Sequence, residues 1–230
     1  KRVLHKGNMI NEHNANSVFA EGASFDHFSD EQADAESATQ DVIPERIEKN
    51  TFEEILESYP TLLDRVHDLG FISPTPVQRV ALPPVLEGKD VVVQAATGSG
   101  KTLVFALGML AKMVKEQQVP KNSTYALVLA PTRELAVQIT SVIRSLDDSL
   151  APSCIIGGES MQQQIDHLRE DARIVVGTPG RIRDVLRRPL NLSSCRFFVL
   201  DEADEMLSIG FLQDVRAILS RLPDQRQGVF

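Results

Sequence analysis

The sequence predicts an α/β fold, a mainly parallel sheet with helices on both faces. Three observations predict it. Downstream of Asp90, short apolar segments alternate with stretches whose apolar residues recur at helical spacing, as parallel strands with crossover helices require. The strand candidates at 91–93, 126–130, 174–176 and 197–200 are unbroken apolar runs, the composition of strands buried on both faces. The first of them feeds Gln94-Ala95-Ala96-Thr97-Gly98-Ser99-Gly100-Lys101-Thr102, with Leu103, Val104, Phe105, Leu107, Met109 and Leu110 following at helical spacing. That order of strand, glycine loop and helix is a phosphate-binding P-loop.

In such a loop Gly98 and Gly100 let backbone N–H groups turn inward around phosphate oxygens, where a Cβ would obstruct them. The helix that follows adds its free N–H groups and the positive end of its dipole. Lys101 reaches the β- and γ-phosphates as a point charge, and the Thr102 hydroxyl ligates Mg²⁺. Ala95 stands where the pattern has its first glycine. The dinucleotide fingerprint Gly-x-Gly-x-x-Gly is excluded, because position 103 is Leu.

The 230 residues, 42% hydrophobic and 24% charged, suit one globular domain with a flank, or one and a half domains. A formal net charge of −8 gives no whole-molecule attraction to nucleic acid, although a segregated basic face stays open. Cys154 and Cys195 lie in apolar contexts without metal-ligand spacing, as in a reduced intracellular protein. No run is long and apolar enough to span a membrane, and no signal-peptide core opens the chain. Beginning at Lys1 and stopping at Phe230 within an apparent strand, the sequence reads as a fragment.

The elements follow in order. Between Gly7 and Glu45 there is no Lys or Arg, while Asp and Glu accumulate from Glu21 onward. Burial cannot offset ordering entropy in such a composition, so residues 1–45 are expected to form a disordered acidic tail. Phe19, Phe25 and Phe28 make it either a partner-binding motif or a solvated spacer. Folded sequence occupies 46–230. Phe52, Ile55, Leu56 and Tyr59, then Leu62, Leu63, Val66 and Leu69, mark two short amphipathic helices broken at Pro60 and closed by Gly70. Pro74 and Pro76 stiffen the approach to a helix through Val80 to Leu86. After the glycine loop come a strand at 126–130 and a helix at 132–146 with Leu135, Ile139, Val142, Ile143 and Leu146 inward. A strand at 153–156 leads through Gly157-Gly158 to a Gln-rich helix ending near Leu168. A strand at 174–176, a turn at 177–180 and a helix through Leu186 come next. The strand at 197–200 precedes helical spacing through Phe211, Val215, Ile218 and Leu219, and Gln227 opens another strand. Ligands of such sheets sit at the carboxyl ends of the strands.

Phe198-Val199-Leu200-Asp201-Glu202 is an apolar strand ending in two carboxylates. Downstream of a P-loop, Asp201 is suited to hold Mg²⁺, mainly through water, and Glu202 to orient or deprotonate an attacking water. The alternative is an acidic first turn that stabilises a helix N-terminus.

Spelled in full as Asp201-Glu202-Ala203-Asp204, this stretch brings a family into view. From about Asn50 to Phe230 the sequence resembles the DEAD-box ATP-dependent RNA helicases. Gly70-Phe71, Pro74-Thr75-Pro76 and Gln78 resemble the Q motif, and 95–102 motif I. Pro131-Thr132-Arg133-Glu134-Leu135-Ala136 is similar to motif Ia, Gly157-Gly158 to the GG motif, Thr178-Pro179-Gly180-Arg181 to motif Ib, and 201–204 to motif II.

The resemblance implies a RecA-like P-loop domain that binds ATP and Mg²⁺. Lys101, Asp201 and Glu202 would be catalytic. Ala95, Thr97, Gly98, Ser99, Gly100, Lys101 and Thr102 would surround the phosphates, with Thr102 and Asp201 serving the metal largely through water. Gln78 would read adenine with its amide, one donor and one acceptor, and Phe71 would stack on the base. The other reading of this pair is a helix cap and a core aromatic. Phe52 would brace the motif as a packed aromatic. Pro131, Thr132, Arg133, Gly158, Thr178, Gly180 and Arg181 would meet RNA phosphates and ribose without reading sequence. Arg183, Arg187 and Arg188 add local positive charge or form a solvated face. His67 and His167 stand singly and suggest no metal or catalytic cluster. Ala96 stands where the family usually has Gln.

In the family the chain continues into a Ser-Ala-Thr motif and a second RecA-like domain with arginine fingers, each worth about 10³ to 10⁵ in rate. The implied function is an ATP-dependent RNA helicase that unwinds duplexes or remodels ribonucleoprotein, this stretch alone hydrolysing ATP weakly or not at all. The alternative is an ATP-switched RNA clamp or scaffold that unwinds little. A DNA-directed motor is a third option, separable by 2′-OH dependence.

Overall fold

The computed structural model describes residues 2–4, 50–116, 119, 123–147, 149–186 and 189–230. Seven strands are described: β1 (Arg2–Leu4), β2 (Val92–Gln94), β3 (Ala126–Leu129), β4 (Ser153–Ile155), β5 (Ile174–Gly177), β6 (Phe197–Leu200) and β7 (Gln227–Val229). The helices are α1 (Phe52–Ile55), α2 (Pro60–Asp68), α3 (Pro76–Leu86), α4 (Lys101–Glu116), α5 (Arg133–Leu146), α6 (Met161–Glu170), α7 (Pro179–Val185), α8 (Ala203–Ile209) and α9 (Leu212–Leu219).

Five strands form a parallel sheet in the order β4-β5-β3-β6-β7. The P-loop strand extends it at the β7 edge, where Val91 bridges Val229 in parallel. Val91 N donates to Gly228 O at 3.0 Å and Phe230 N to Val91 O at 2.9 Å. Side chains alternate between two cores, as the period of a strand requires. Val128, Val176, Phe197 and Val199 pack with α3, α4 and α5 on one face. Leu127, Leu129, Val175, Phe198 and Leu200 pack with α7 and α9 on the other. The expected α/β sheet with helices on both faces is the fold observed.

Local departures have local causes. The helix expected from Val80 begins at Pro76, because Thr75 caps it and proline at the first position already has helical φ. The helical spacing after Glu202 is two helices, α8 and α9, separated at Gly210 with φ +97°. Of the five apolar residues expected inward on α5, Ile139, Ile143 and Leu146 are buried, whereas Leu135 and Val142 are only partly so. Of the segment expected as a tail, residues 1 and 5–45, with Phe19, Phe25 and Phe28, lie outside the described residues, as do 46–49 of the expected domain. Arg2–Leu4 departs from that expectation by pairing antiparallel with β2, Leu4 opposite Val92. The free edge of a strand is a template for such pairing.

Helix α4 lies against α3 at Gly108, where a Cβ would overlap Val85 Cγ1. That close approach holds the P-loop helix to the segment carrying Thr75 and Gln78. Gly108→Ala is predicted to lower stability by about 1–3 kcal/mol through overpacking. A urea midpoint unchanged from the parent chain would show that this contact is loose.

Candidate nucleotide cleft and nucleic-acid groove

A cleft of about 590 Å³ opens at the carboxyl ends of β2 and β6, lined among others by Ala95, Thr97, Lys101, Asp201, Glu202 and Phe230. Gly98 and Gly100 adopt φ of +79° and +94°, the left-handed region open to glycine. Gly100 is required by space as well, since a Cβ there would overlap Gln78 Nε2. Lys101 Nζ donates to Ala95 O at 2.6 Å, so the ammonium closes the loop onto its own first residue. Thr97 Oγ1 donates to Glu202 Oε1 at 3.4 Å, linking the loop to the paired carboxylates.

Asp201 is 9% exposed. Burial first, and the Glu202 charge second, push its carboxyl above the ordinary value, opposed by the Lys101 ammonium. A desolvated carboxylate at the cleft wall is chemically suited to a divalent cation. Ser99 Oγ adds a buried hydroxyl without a partner among the described residues. No group of three or more His, Cys, Asp or Glu that could hold a metal occurs among the described residues.

Glu202 has φ +54°, the single non-glycine residue with positive φ among those described. Such a conformation costs on the order of 1 kcal/mol or more and persists where its surroundings impose it. Asp201 N donates to Leu129 O at 3.0 Å and Met206 N to Glu202 O at 3.1 Å. These bonds fix the turn from both sides.

The Q-motif residues do not line this cleft. Thr75 Oγ1 donates to Ser99 O at 2.8 Å and Gln78 Nε2 to Gly100 O at 3.1 Å, while Gln78 Oε1 accepts from Thr75 N at 2.9 Å. Gln78 is 3% exposed and acts here as a helix cap tied to the P-loop. One amide N–H and one carbonyl lone pair remain beyond those bonds. Phe71 is 42% exposed, and is therefore no core aromatic.

A second groove, about 510 Å³, gathers Pro131, Thr132, Arg133, Gly157, Thr178, Gly180 and Arg181 from three separate segments. Gly158 lies beside it: a Cβ there would overlap Arg133 Nη1, and one at Gly157 would sit 3.2 Å from Arg133 Nη2. The glycine pair thus makes room for the Arg133 guanidinium. Arg181 faces inward instead, donating to Ile156 O at 3.0 Å, Glu159 O at 2.8 Å and Met161 Sδ at 3.3 Å. It braces the glycine loop. Thr178 is 8% exposed, and Thr132 Oγ1 accepts from Leu135 N as the cap of α5. Glu134, Asp184 and Phe211 complete the groove; none was expected to touch a ligand, and nothing in the local sequence marks Phe211. Arg183 is ion-paired with Asp214, whereas Arg187 and Arg188 lie outside the described residues.

A family profile for DEAD/DEAH box helicases matches residues 75–230. The chain belongs to that family. It is 44% identical over 173 residues to DEAD-box ATP-dependent RNA helicase 9 of Oryza sativa subsp. japonica, covering 73% of this chain and 27% of that protein. It is 45% identical over 169 residues to DEAD-box ATP-dependent RNA helicase CshA of Streptococcus pneumoniae, covering 72% and 32%. ATP-dependent RNA helicase eIF4A of Botryotinia fuckeliana is 40% identical over 209 residues, covering 86% and 50%. The crystal structure of a DEAD box protein from the hyperthermophile Methanococcus jannaschii superposes with a TM-score of 0.70 at 39% identity, covering 78% of this chain and 49% of that one. This DEAD-box chain therefore spans between about a quarter and half the length of these relatives.

Two other titratable groups among the described residues have a local partner or are buried. His67 pairs with Glu53 at 3.1 Å on the surface. Cys195 is buried, its thiol pushed up to about 12 by burial, which leaves it inert. Among the described residues no helix is long and apolar enough to cross a membrane.

Gly100→Ala is predicted to weaken ADP binding at least about tenfold, because a side chain there is strained and displaces Gln78; calorimetry with circular dichroism as the fold control checks it. Arg181→Lys loses the guanidinium fork that holds two carbonyls. Faster amide hydrogen exchange across 156–161, with the exchange of β3 unchanged, is the expected result.

Proposed function

We propose that this chain is the ATP-binding half of a DEAD-box RNA helicase, occupying 46–230, and that it holds ATP with Mg²⁺ in the cleft and part of an RNA strand in the groove. The observation that carries the reading is the linkage of the two sites. Glu202, just past the end of β6, meets the P-loop through Thr97, while β3, paired with β6, and β5, on the far side of β3, end in the groove loops. The family, and the relatives named as ATP-dependent RNA helicases, support it.

The residues divide the chemistry by position. Gly98, Gly100 and the first turn of α4 offer N–H groups to phosphate oxygens. Lys101, swung from the Ala95 carbonyl, brings its charge to the β- and γ-phosphates. Thr102 and Asp201 hold Mg²⁺, which when bound neutralises charge developing on the phosphoryl group. Glu202 orients the attacking water and accepts its proton, and its strained backbone directs the carboxylate toward the loop. Gln78 and Phe71 present the remaining amide positions and a ring to adenine, so base recognition is coupled to the Gly100 carbonyl. Thr132, Arg133 and the Thr178–Gly180 turn bind sugar and phosphate, a sequence-blind mode.

In the whole protein ATP hydrolysis would then be coupled to RNA duplex unwinding or ribonucleoprotein remodelling, with a second RecA-like domain completing both sites. Calorimetry on this chain tests the nucleotide half. ADP with Mg²⁺ is expected to bind, GDP much more weakly, and both Lys101→Ala and Gln78→Ala to lose ADP. Equal ADP and GDP binding would remove the adenine role of Gln78. Vigorous RNA-stimulated ATP turnover by this chain alone would overturn the need for a second domain.

A further inference from the structure

A further hollow, about 500 Å³, opens at the amino ends of β6 and β7, the end of the sheet opposite the cleft and the groove. Lys112, Arg196 and Arg226 share it with a single carboxylate, Glu116. We infer that this hollow is an anion site that takes the phosphate group of a small, wholly polar compound. The inference stands apart from the nucleotide and RNA readings, since it uses none of their residues.

The fold puts these cations together. Strands β6 and β7 run parallel with Phe197 level with Gln227, so Arg196 and Arg226, each one residue earlier, enter the sheet side by side. Arg196 N donates to Tyr125 O at 2.8 Å and Gln227 N to Arg196 O at 2.9 Å, which pins the backbone there. Lys112, near the end of α4, donates to Gln227 Oε1 at 3.4 Å. Gln227 is itself held, its Nε2 donating to Val85 O at 2.8 Å and to Lys89 O at 2.9 Å. Like charges on neighbouring strands repel, yet none of the three cations is ion-paired among the described residues.

The guanidinium groups are already oriented. Arg196 Nη1 donates to Gln225 O at 3.1 Å and Arg226 Nη1 to Pro223 O at 2.6 Å. Each anchor leaves the Nε and Nη2 edge unbonded among the described residues, the fork that matches two phosphate oxygens. Charge selects the ligand further. Three cations stand against Glu116 and against about half a negative charge at the end of α4. The surplus suits a phosphate group, which carries about −1.5 to −2, better than a lone carboxylate. The rest of the lining is Gly88, Gln225 and Gln227. With no aliphatic or aromatic side chain in it, the hollow offers nothing to a base or a lipid chain.

The test is two-dimensional amide NMR of this chain, titrated with pyrophosphate and, as a singly charged comparator, acetate. The P-loop takes phosphate as well, so the two sites are read by residue: Gly88, Arg196 and Gln225 to Gln227 for the hollow, Thr97 to Thr102 for the cleft. Saturating shifts of the first set with pyrophosphate, and none with acetate, are expected. Arg196→Gln and Arg226→Gln should each weaken that binding about tenfold, with the cleft response and the melting temperature unchanged. Glu116→Gln, by removing the opposing carboxylate, should tighten it about threefold, a gain that a damaged fold does not produce. Shifts confined to the cleft, an equal response to acetate, parent affinity in both arginine variants, or no tightening in Glu116→Gln would each overturn the site. None of these outcomes touches the nucleotide reading, on which the cleft response alone bears.

Discussion

Everything in the two sites depends on the central strand β3. It is hydrogen-bonded in parallel on both sides and buried on both faces. Its register sets Leu129 level with Gly177 on β5 and Leu200 on β6. The three chains therefore leave the sheet at one height. Ala130 N still bonds Gly177 O, and Asp201 N bonds Leu129 O, so the first residues of each loop remain attached to the neighbouring strand. Motif Ia, motif Ib and the paired carboxylates, far apart in sequence, are brought side by side by this single constraint. β7 then carries the register outward to Val91 and the P-loop.

Within that frame the nucleotide cleft is held by a few short polar contacts. Thr75 and Gln78 bond the carbonyls of Ser99 and Gly100, and those bonds hold the loop in the conformation that its positive-φ glycines permit. Asp201 is desolvated and flanked by Glu202, a combination that disfavours its charge until a cation approaches. Lys101 is the nearby compensation, and its bond to Ala95 O places it at the loop mouth. The substitution of alanine for the first glycine costs the loop nothing visible, because the residue contributes its carbonyl.

The groove follows a different logic, in which residue type and role separate. Arg133 and Arg181 look alike in sequence as basic residues at helix starts. One lies over a glycine pair, where a Cβ on Gly158 would overlap it and one on Gly157 would crowd it, while the other turns back to brace that same loop. A guanidinium with several donors can serve as a scaffold as readily as a phosphate contact. Gly157-Gly158 is thus a packing requirement of Arg133 as much as a flexible turn.

The fold class, the P-loop, the paired carboxylates and the family were legible in the sequence, because each rests on local pattern: apolar runs, helical spacing, and short motifs whose residues act together. Boundaries were less legible at Pro76 and Gly210, where caps and a left-handed turn outweigh apolar periodicity. What the sequence could not decide was which donors remain unoccupied and which side chains meet across loops. Gln78 reads as an adenine contact by motif, yet its amide is also held by Thr75 and Gly100. Arg183 reads as free charge and is paired with Asp214, and Phe211 reads as core spacing and stands at the groove wall. These outcomes depend on contacts between residues distant in the chain. Only the packed sheet, by fixing which loops emerge together, decides them.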